Sequence, residues 1–202
     1  MNWARNVLIW SALGVAISVP IALSATSPLI AWREPMYILA GFAGVAALAC
    51  LLIQPVLIGG YLPGLSGPRC RRVHRRVGGV LVAAVVIHVA ALWITSPPDV
   101  IDVLLFASPT PFSVWGVIAM WAVFAAALLA ALRQRLSLQV RTWRLCHTAL
   151  VVVVVLGSVV HAMLIEGTME IVSKAALCAL VLLATIKTVI YRRAWASRAA
   201  SR

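Results

Sequence analysis

Residues 71–88 read RRVHRRVGGVLVAAVVIH: a cluster of arginines around His74, then an unbroken apolar run that ends at His88. The apolar character continues to about residue 95, which makes the run long enough to cross the roughly 30 Å hydrocarbon core of a bilayer as a helix. Basic residues beside one end of an apolar span are typical of its cytoplasmic side. The stretch therefore predicts a transmembrane helix that carries one imidazole near each end.

The rest of the 202-residue chain has the same composition. Hydrophobic residues make up 63% of it and charged residues 11%, whereas a soluble domain has about 25% charged residues. Apolar runs of spanning length lie at about 6–25, 36–58, 76–95, 112–132, 147–165 and 170–190. We predict one all-α domain over residues 1–202, a six-helix transmembrane bundle embedded in a lipid bilayer. A cleavable signal peptide is the alternative for the first run, although that run is long for one.

The distribution of charge predicts the orientation of the bundle. In a six-span arrangement, one face receives the basic segments: Arg5, Arg69, Arg71, Arg72, Arg75, Arg76, Arg133, Arg135, Arg141, Arg144, Arg192, Arg193, Arg198 and Arg202. The other face receives all five acidic residues: Glu34, Asp99, Asp102, Glu166 and Glu170. The positive-inside rule then places both termini in the cytoplasm. We expect a multi-pass protein of a bacterial inner membrane, and we read the net charge of +12 as a topology signal rather than as evidence of a nucleic-acid partner.

The four histidines form two pairs with one spacing. His74 and His88 are 14 positions apart, and so are His147 and His161. On a helix, 14 residues fall about 40° short of four turns and rise roughly 21 Å, so both members of a pair project from nearly the same face. The third and fifth spans run parallel, which places His74 and His147 near the cytoplasm and His88 and His161 near the outside.

Two axial imidazoles are one way to hold a b-type haem within a helical bundle. The pattern predicts two haem b groups, with iron bound by His74 and His147 at the inner level and by His88 and His161 at the outer level. The alternative for a single histidine is a hydrogen bond to a neighbouring helix. A proton path is disfavoured because the spans contain no Asp or Glu to pair with the imidazoles.

Two further groups of residues support more than one interpretation. Five arginines beside the inner pair have the charge and geometry to contact haem propionates, or they serve only the topology: Arg72, Arg75, Arg76, Arg141 and Arg144. Gly78, Gly79 and Gly157 lie one turn from histidines, where a small residue provides space for a porphyrin or allows close helix packing.

The two segments HRRVGGVLVAAVVIH (74–88) and HTALVVVVVLGSVVH (147–161), placed within six predicted helices, resemble the ferric reductase-like transmembrane domain family. That family includes fungal ferric reductases and the membrane domain of NADPH oxidases. The resemblance implies two b haems between the third and fifth helices, which pass electrons from the cytoplasm to an outer acceptor. It assigns His74 and His147 to the inner haem and His88 and His161 to the outer haem.

Relatives of this kind typically continue into a flavin- and NADPH-binding region, whereas here YRRAWASRAASR (191–202) follows the sixth span and no GxGxxG motif occurs. We therefore expect the electron donor to be a separate flavoprotein, with FMN or FAD, or quinone. The expected acceptor is a ferric chelate, oxygen or a periplasmic redox protein. No residue of the chain is predicted to be catalytic.

The sequence leaves three functions open. The first is the haem-bearing electron conduit itself, and the second is a haem-binding anchor subunit for a separate periplasmic or flavoprotein oxidoreductase. A third possibility is a haem-free transporter or scaffold, for which the equal histidine spacings would be a coincidence.

Overall fold

The computed structural model describes the backbone of residues 3–200 and the side chains of residues 3–190. The described part of the chain is helical and has no strands. Its elements are α1 (Trp3–Ala25), a short 3₁₀ helix (Pro28–Ile30), α2 (Pro35–Ile58), α3 (Gly67–Thr95), α4 (Pro97–Leu104), α5 (Pro111–Ala131), α6 (Val140–Leu164) and α7 (Ile171–Ala200). The basic side chains predicted after the sixth span (Arg192, Arg193, Arg198 and Arg202) lie outside the described residues.

Six of these helices are long and apolar enough to cross a membrane: α1, α2, α3, α5, α6 and the Ile171–Ile190 part of α7. The prediction of an all-α bundle with six spans is confirmed. The short α4 connects the third span to the fourth. It begins at a proline in its first turn, where Ser96 Oγ donates to Asp99 Oδ2 at 2.6 Å.

Proline determines where two of the long helices begin. Pro35 and Pro111 are the first residues of α2 and α5, a position that tolerates proline because its missing N–H has no helical partner there. Between α2 and α3, Gly60 and Gly64 adopt positive φ angles of 69° and 82°, which a glycine adopts without steric cost. These glycines let the chain reverse direction in the short connection.

Two helices begin earlier than their apolar runs. α3 begins at Gly67 and α6 at Val140, whereas the apolar runs begin at about residues 76 and 147. Arginine is a good helix former, so the basic segments continue the helices beyond the hydrocarbon. His74 and His147 consequently lie within regular helix.

The helices pack as two hairpins joined by α7. α2 packs chiefly against α3, α5 packs chiefly against α6, and α7 contacts both α2 and α6. The buried core takes residues from all five of these helices, among them Leu51, Leu81, Val123, Val154 and Val181. α1 lies at the periphery and is mostly exposed. The helices that carry the histidines, α3 and α6, are therefore each supported from behind by a partner helix.

Candidate functional site

The two histidines that are 14 positions apart lie on one continuous helix in each case, as the spacing predicts. His74 and His88 are on α3, and His147 and His161 are on α6. All four side chains are half-buried. His74 and His147 lie towards the arginine-rich ends of their helices, whereas His88 and His161 lie towards the opposite ends.

The structure brings the two outer histidines, His88 on α3 and His161 on α6, close together. The ring centroids of His88 and His161 are 6.4 Å apart, and the ring planes are inclined by 85°. Two imidazoles bound to opposite sides of one metal ion would have centroids roughly 6 Å apart, because each metal–nitrogen bond is about 2 Å long. The separation therefore fits one metal ion between two axial imidazoles.

Each outer imidazole is held by a backbone carbonyl of the neighbouring helix. Nδ1 of His88 lies 2.7 Å from the carbonyl oxygen of Ala40 on α2. Nδ1 of His161 lies 2.8 Å from the carbonyl oxygen of Phe112 on α5. A carbonyl only accepts hydrogen bonds, so each Nδ1 carries a proton, and in a neutral ring Nε2 then keeps its lone pair. A histidine that binds a metal usually donates its other ring N–H in this way.

The two inner histidines, His74 and His147, have different neighbours from the two outer histidines. The side-chain amide of Gln54, on α2, contacts Nδ1 of His74. In one amide orientation Gln54 also accepts from the Gly78 N–H at 3.0 Å. Which end of the amide faces the imidazole depends on the tautomer of the ring. His74 therefore has a polar partner from the helix behind it, as His88 has.

His147 lies in a stack of flat groups. Its ring lies parallel to the indole of Trp143, with centroids 5.3 Å apart and planes within 10°. The guanidinium of Arg133 lies 4.6 Å from the centroid of the same indole. Nδ1 of His147 is buried without a hydrogen-bond partner, and the nearby backbone of Ala126 does not complete a well-formed bond with it. A buried ring nitrogen of this kind is costly unless a donor or a metal pairs with it.

The arginines and glycines singled out from the sequence have distinct surroundings. All five arginines beside the inner pair (Arg72, Arg75, Arg76, Arg141 and Arg144) are exposed. A Cβ on Gly157 would lie 3.0 Å from the Trp115 carbonyl oxygen and 3.1 Å from Ala119 Cβ, so this glycine serves close packing of α6 on α5. A Cβ on Gly79 would meet nothing within 4 Å.

Sequence reasoning missed three kinds of residue near the histidines. Gln54 is the single amide within the apolar run of α2, and a lone polar residue in a span often bonds to a neighbouring helix. Lys174 is only 6% exposed, and its Nζ donates to the Ile165 carbonyl oxygen at 2.7 Å. Gly44 and Gly116 lie against the rings of His88 and His161, and a glycine within a span is the only sequence signal for them.

The donor set fits haem. It consists of four imidazoles, two towards each end of the bundle. Ligation requires a neutral imidazole, and in a neutral ring whose Nδ1 donates to a carbonyl, Nε2 is the nitrogen that keeps a lone pair for a metal.

Comparison with known proteins gives one match. The family model described as ferric reductase like transmembrane component matches residues 40–158. This range includes His74, His88 and His147 and ends shortly before His161. No curated protein and no solved structure matches the chain. Because the matched range is more than half of the 202 residues, and because the chain has six helices that can span a membrane, the protein is a multi-pass membrane protein that belongs to the ferric reductase like transmembrane component family.

Proposed function

We propose that this chain is a transmembrane electron conduit, the haem-bearing component of a ferric reductase-like oxidoreductase. It would hold two b-type haems, one between His74 and His147 and one between His88 and His161, and carry electrons from a cytoplasmic donor to an acceptor on the outer face. The observation that supports this most directly is the geometry of the two outer histidines, His88 and His161. Their ring centroids are 6.4 Å apart, and each Nδ1 lies within hydrogen-bond distance of a backbone carbonyl.

When bound, the haems would supply the one-electron redox chemistry. The chain's own residues orient the ligands. The Ala40 carbonyl fixes the tautomer of His88 and the Phe112 carbonyl that of His161. A hydrogen bond to the second ring nitrogen also raises the basicity of the ligand nitrogen. In each ring Nε2 would thereby be the nitrogen that binds the iron.

The remainder of the bundle supports transfer across the membrane. The two histidines of each helix are roughly 21 Å apart along the helix axis, a separation that would put one ligand level near each side of the hydrocarbon core. Apolar side chains of α2, α3, α5, α6 and α7 form a common core, which would help to exclude water from the path between the two haems.

The inner level faces the arginine-rich end, which we assign to the cytoplasm. The exposed arginines there favour an anionic donor group, such as the phosphate of FMN or FAD in a separate flavoprotein, over a neutral one. Quinone is the other donor class that we consider. The stack of Arg133, Trp143 and His147 connects this surface to the inner ligand. The outer acceptor would be a ferric chelate, oxygen or a periplasmic redox protein.

Sealed vesicles test this function. The purified, haem-loaded chain is reconstituted into liposomes that contain trapped ferricyanide, and dithionite is added outside with an ionophore to compensate charge. We expect the trapped ferricyanide to be reduced faster than in protein-free vesicles, and we expect H161A to abolish the difference. Equal rates in vesicles with and without the wild-type chain would contradict the conduit.

A further inference from the structure

The two helical hairpins hold their outer imidazoles in the same way. In α2–α3, the carbonyl of Ala40 accepts from His88, and Gly44 follows four residues after that carbonyl. In α5–α6, the carbonyl of Phe112 accepts from His161, and Gly116 follows four residues after it. Residues four apart lie on the same helix face, so each glycine lies next to the accepting carbonyl.

Each glycine lies against the imidazole itself. A Cβ on Gly116 would lie 2.7 Å from His161 Nδ1 and 2.9 Å from Cε1. A Cβ on Gly44 would lie 3.3 Å from His88 Nδ1. The first distance is shorter than carbon and nitrogen atoms tolerate, whereas the second needs only a small adjustment. The absence of a side chain is therefore required at Gly116 and favourable at Gly44.

The hydrogen bond and the glycine depend on each other. A ring can approach a helix closely enough to bond a main-chain carbonyl only where no Cβ stands beside that carbonyl. An alanine at Gly116 would push the His161 ring away from Phe112 and loosen the bond that fixes its tautomer and its plane.

The correspondence extends along both hairpins. Ala40 and Phe112 are 72 positions apart, and so are Gly44 and Gly116. Gln54, which contacts His74, and Ala126, which lies near His147, are also 72 positions apart. The matching histidines are 73 positions apart in both cases. α2–α3 and α5–α6 thus place corresponding residues at both ligand levels.

We infer that α2–α3 and α5–α6 are two copies of one ligand-holding hairpin, and that Gly44 and Gly116 are positioning residues that set the plane of the outer imidazoles. This inference rests on the proposed function, because the metal that the imidazoles would bind is the iron of the outer haem.

The inclination of the rings provides a spectroscopic readout. The planes of His88 and His161 are 85° apart. In ferric low-spin haem, nearly perpendicular axial imidazoles give a highly anisotropic electron paramagnetic resonance signal, and parallel imidazoles give a less anisotropic one. Hydrogen bonds to the residues that bind the iron are a known control of haem properties. A substitution that turns one ring therefore changes the largest g value of the outer haem.

The experiment compares three variants of the full-length, haem-loaded chain. G116A and G44A add a methyl group against the imidazoles, whereas G79A adds one where nothing lies within 4 Å. Haem per chain and the low-temperature electron paramagnetic resonance spectrum of the three variants are compared with those of the wild type.

We expect G116A to lose the outer-haem signal or to lower its largest g value, G44A to show a smaller change in the same direction, and G79A to match the wild type. The inference is overturned if G116A and G44A both match G79A. A wild-type chain without haem would instead overturn the proposed function itself.

Discussion

A hydrogen bond from Nδ1 to a backbone carbonyl determines which nitrogen of each outer imidazole is available to bind a metal. His161 is held by Phe112 at 2.8 Å and His88 by Ala40 at 2.7 Å. Because the acceptors are main-chain atoms, no side-chain substitution removes them directly. The chemistry of these two residues therefore depends on how closely α2 approaches α3 and how closely α5 approaches α6.

Gln54 gives a prediction at the inner level. Its amide contacts Nδ1 of His74, so Gln54→Leu leaves that nitrogen without this partner. Loss of a group that hydrogen-bonds to a metal-binding histidine typically reduces metal affinity by roughly 10–100-fold. We expect a reduction of this size in the affinity for the inner haem, measured by transfer of haem to an excess of apomyoglobin.

The matched control is Gln134→Leu, at an exposed position between α5 and α6. Inner-haem retention that is equal in the two variants would show that Gln54 does not support His74.

At the scale of elements, α7 is anchored at its first turn by a buried lysine. Lys174 is 6% exposed and donates to the Ile165 carbonyl oxygen at 2.7 Å. Lys174→Met keeps most of the volume but leaves that carbonyl without its donor, which costs about 1–3 kcal/mol. We expect a clear fall in the melting temperature of the detergent-solubilised chain.

Lys187→Met is the control, because Lys187 is exposed and lies 4.6 Å from the centroid of the Tyr61 ring. An exposed cation–π contact contributes only about 0.5–1 kcal/mol. A Lys187 variant as unstable as the Lys174 variant would contradict the anchoring role.

Glu170 caps the same end of α7. Its carboxylate accepts from the Val172 N–H at 2.7 Å and from the Ser173 N–H at 2.6 Å. The nearby Ser173 hydroxyl and these N–H groups hold the pKa of Glu170 below its ordinary value of 4.5. A lowered pKa stabilises the folded state above the ordinary value, and this contribution is lost as the pH falls through the folded-state pKa.

We therefore expect the difference in melting temperature between the wild type and Glu170→Gln to be constant near neutral pH and to shrink as the pH falls below 4.5. A difference that does not change with pH would show that the ionised carboxylate does not stabilise this turn.

The sequence predicts the elements better than it predicts their contacts. Apolar length indicates six spans, and a spacing of 14 indicates that His74 and His88 share a helix face. The carbonyls of Ala40 and Phe112 carry no sequence signal, because every residue has one and only the packing of two helices selects which is used. The start of α3 at Gly67 was also not predicted, since apolar periodicity ends where the arginines begin.

At the scale of the whole molecule, charge asymmetry predicts how the bundle sits in the membrane. With the arginines in the cytoplasm, green fluorescent protein fused to the C-terminus should fluoresce. Alkaline phosphatase inserted between α6 and α7, within residues 165–170, should be active, and the same enzyme inserted between α5 and α6, within residues 132–139, should be inactive. The reverse pattern of phosphatase activity would contradict the orientation.

Haem binding by the four histidines is the central claim, and one measurement tests it most directly. The detergent-purified chain, produced with sufficient haem, is examined by a dithionite-reduced minus oxidised spectrum, and haem is counted per chain in the wild type and in H161A. We predict two b-type haems in the wild type and one in H161A. A folded wild-type chain with no haem, or an H161A chain that retains both, would contradict the account.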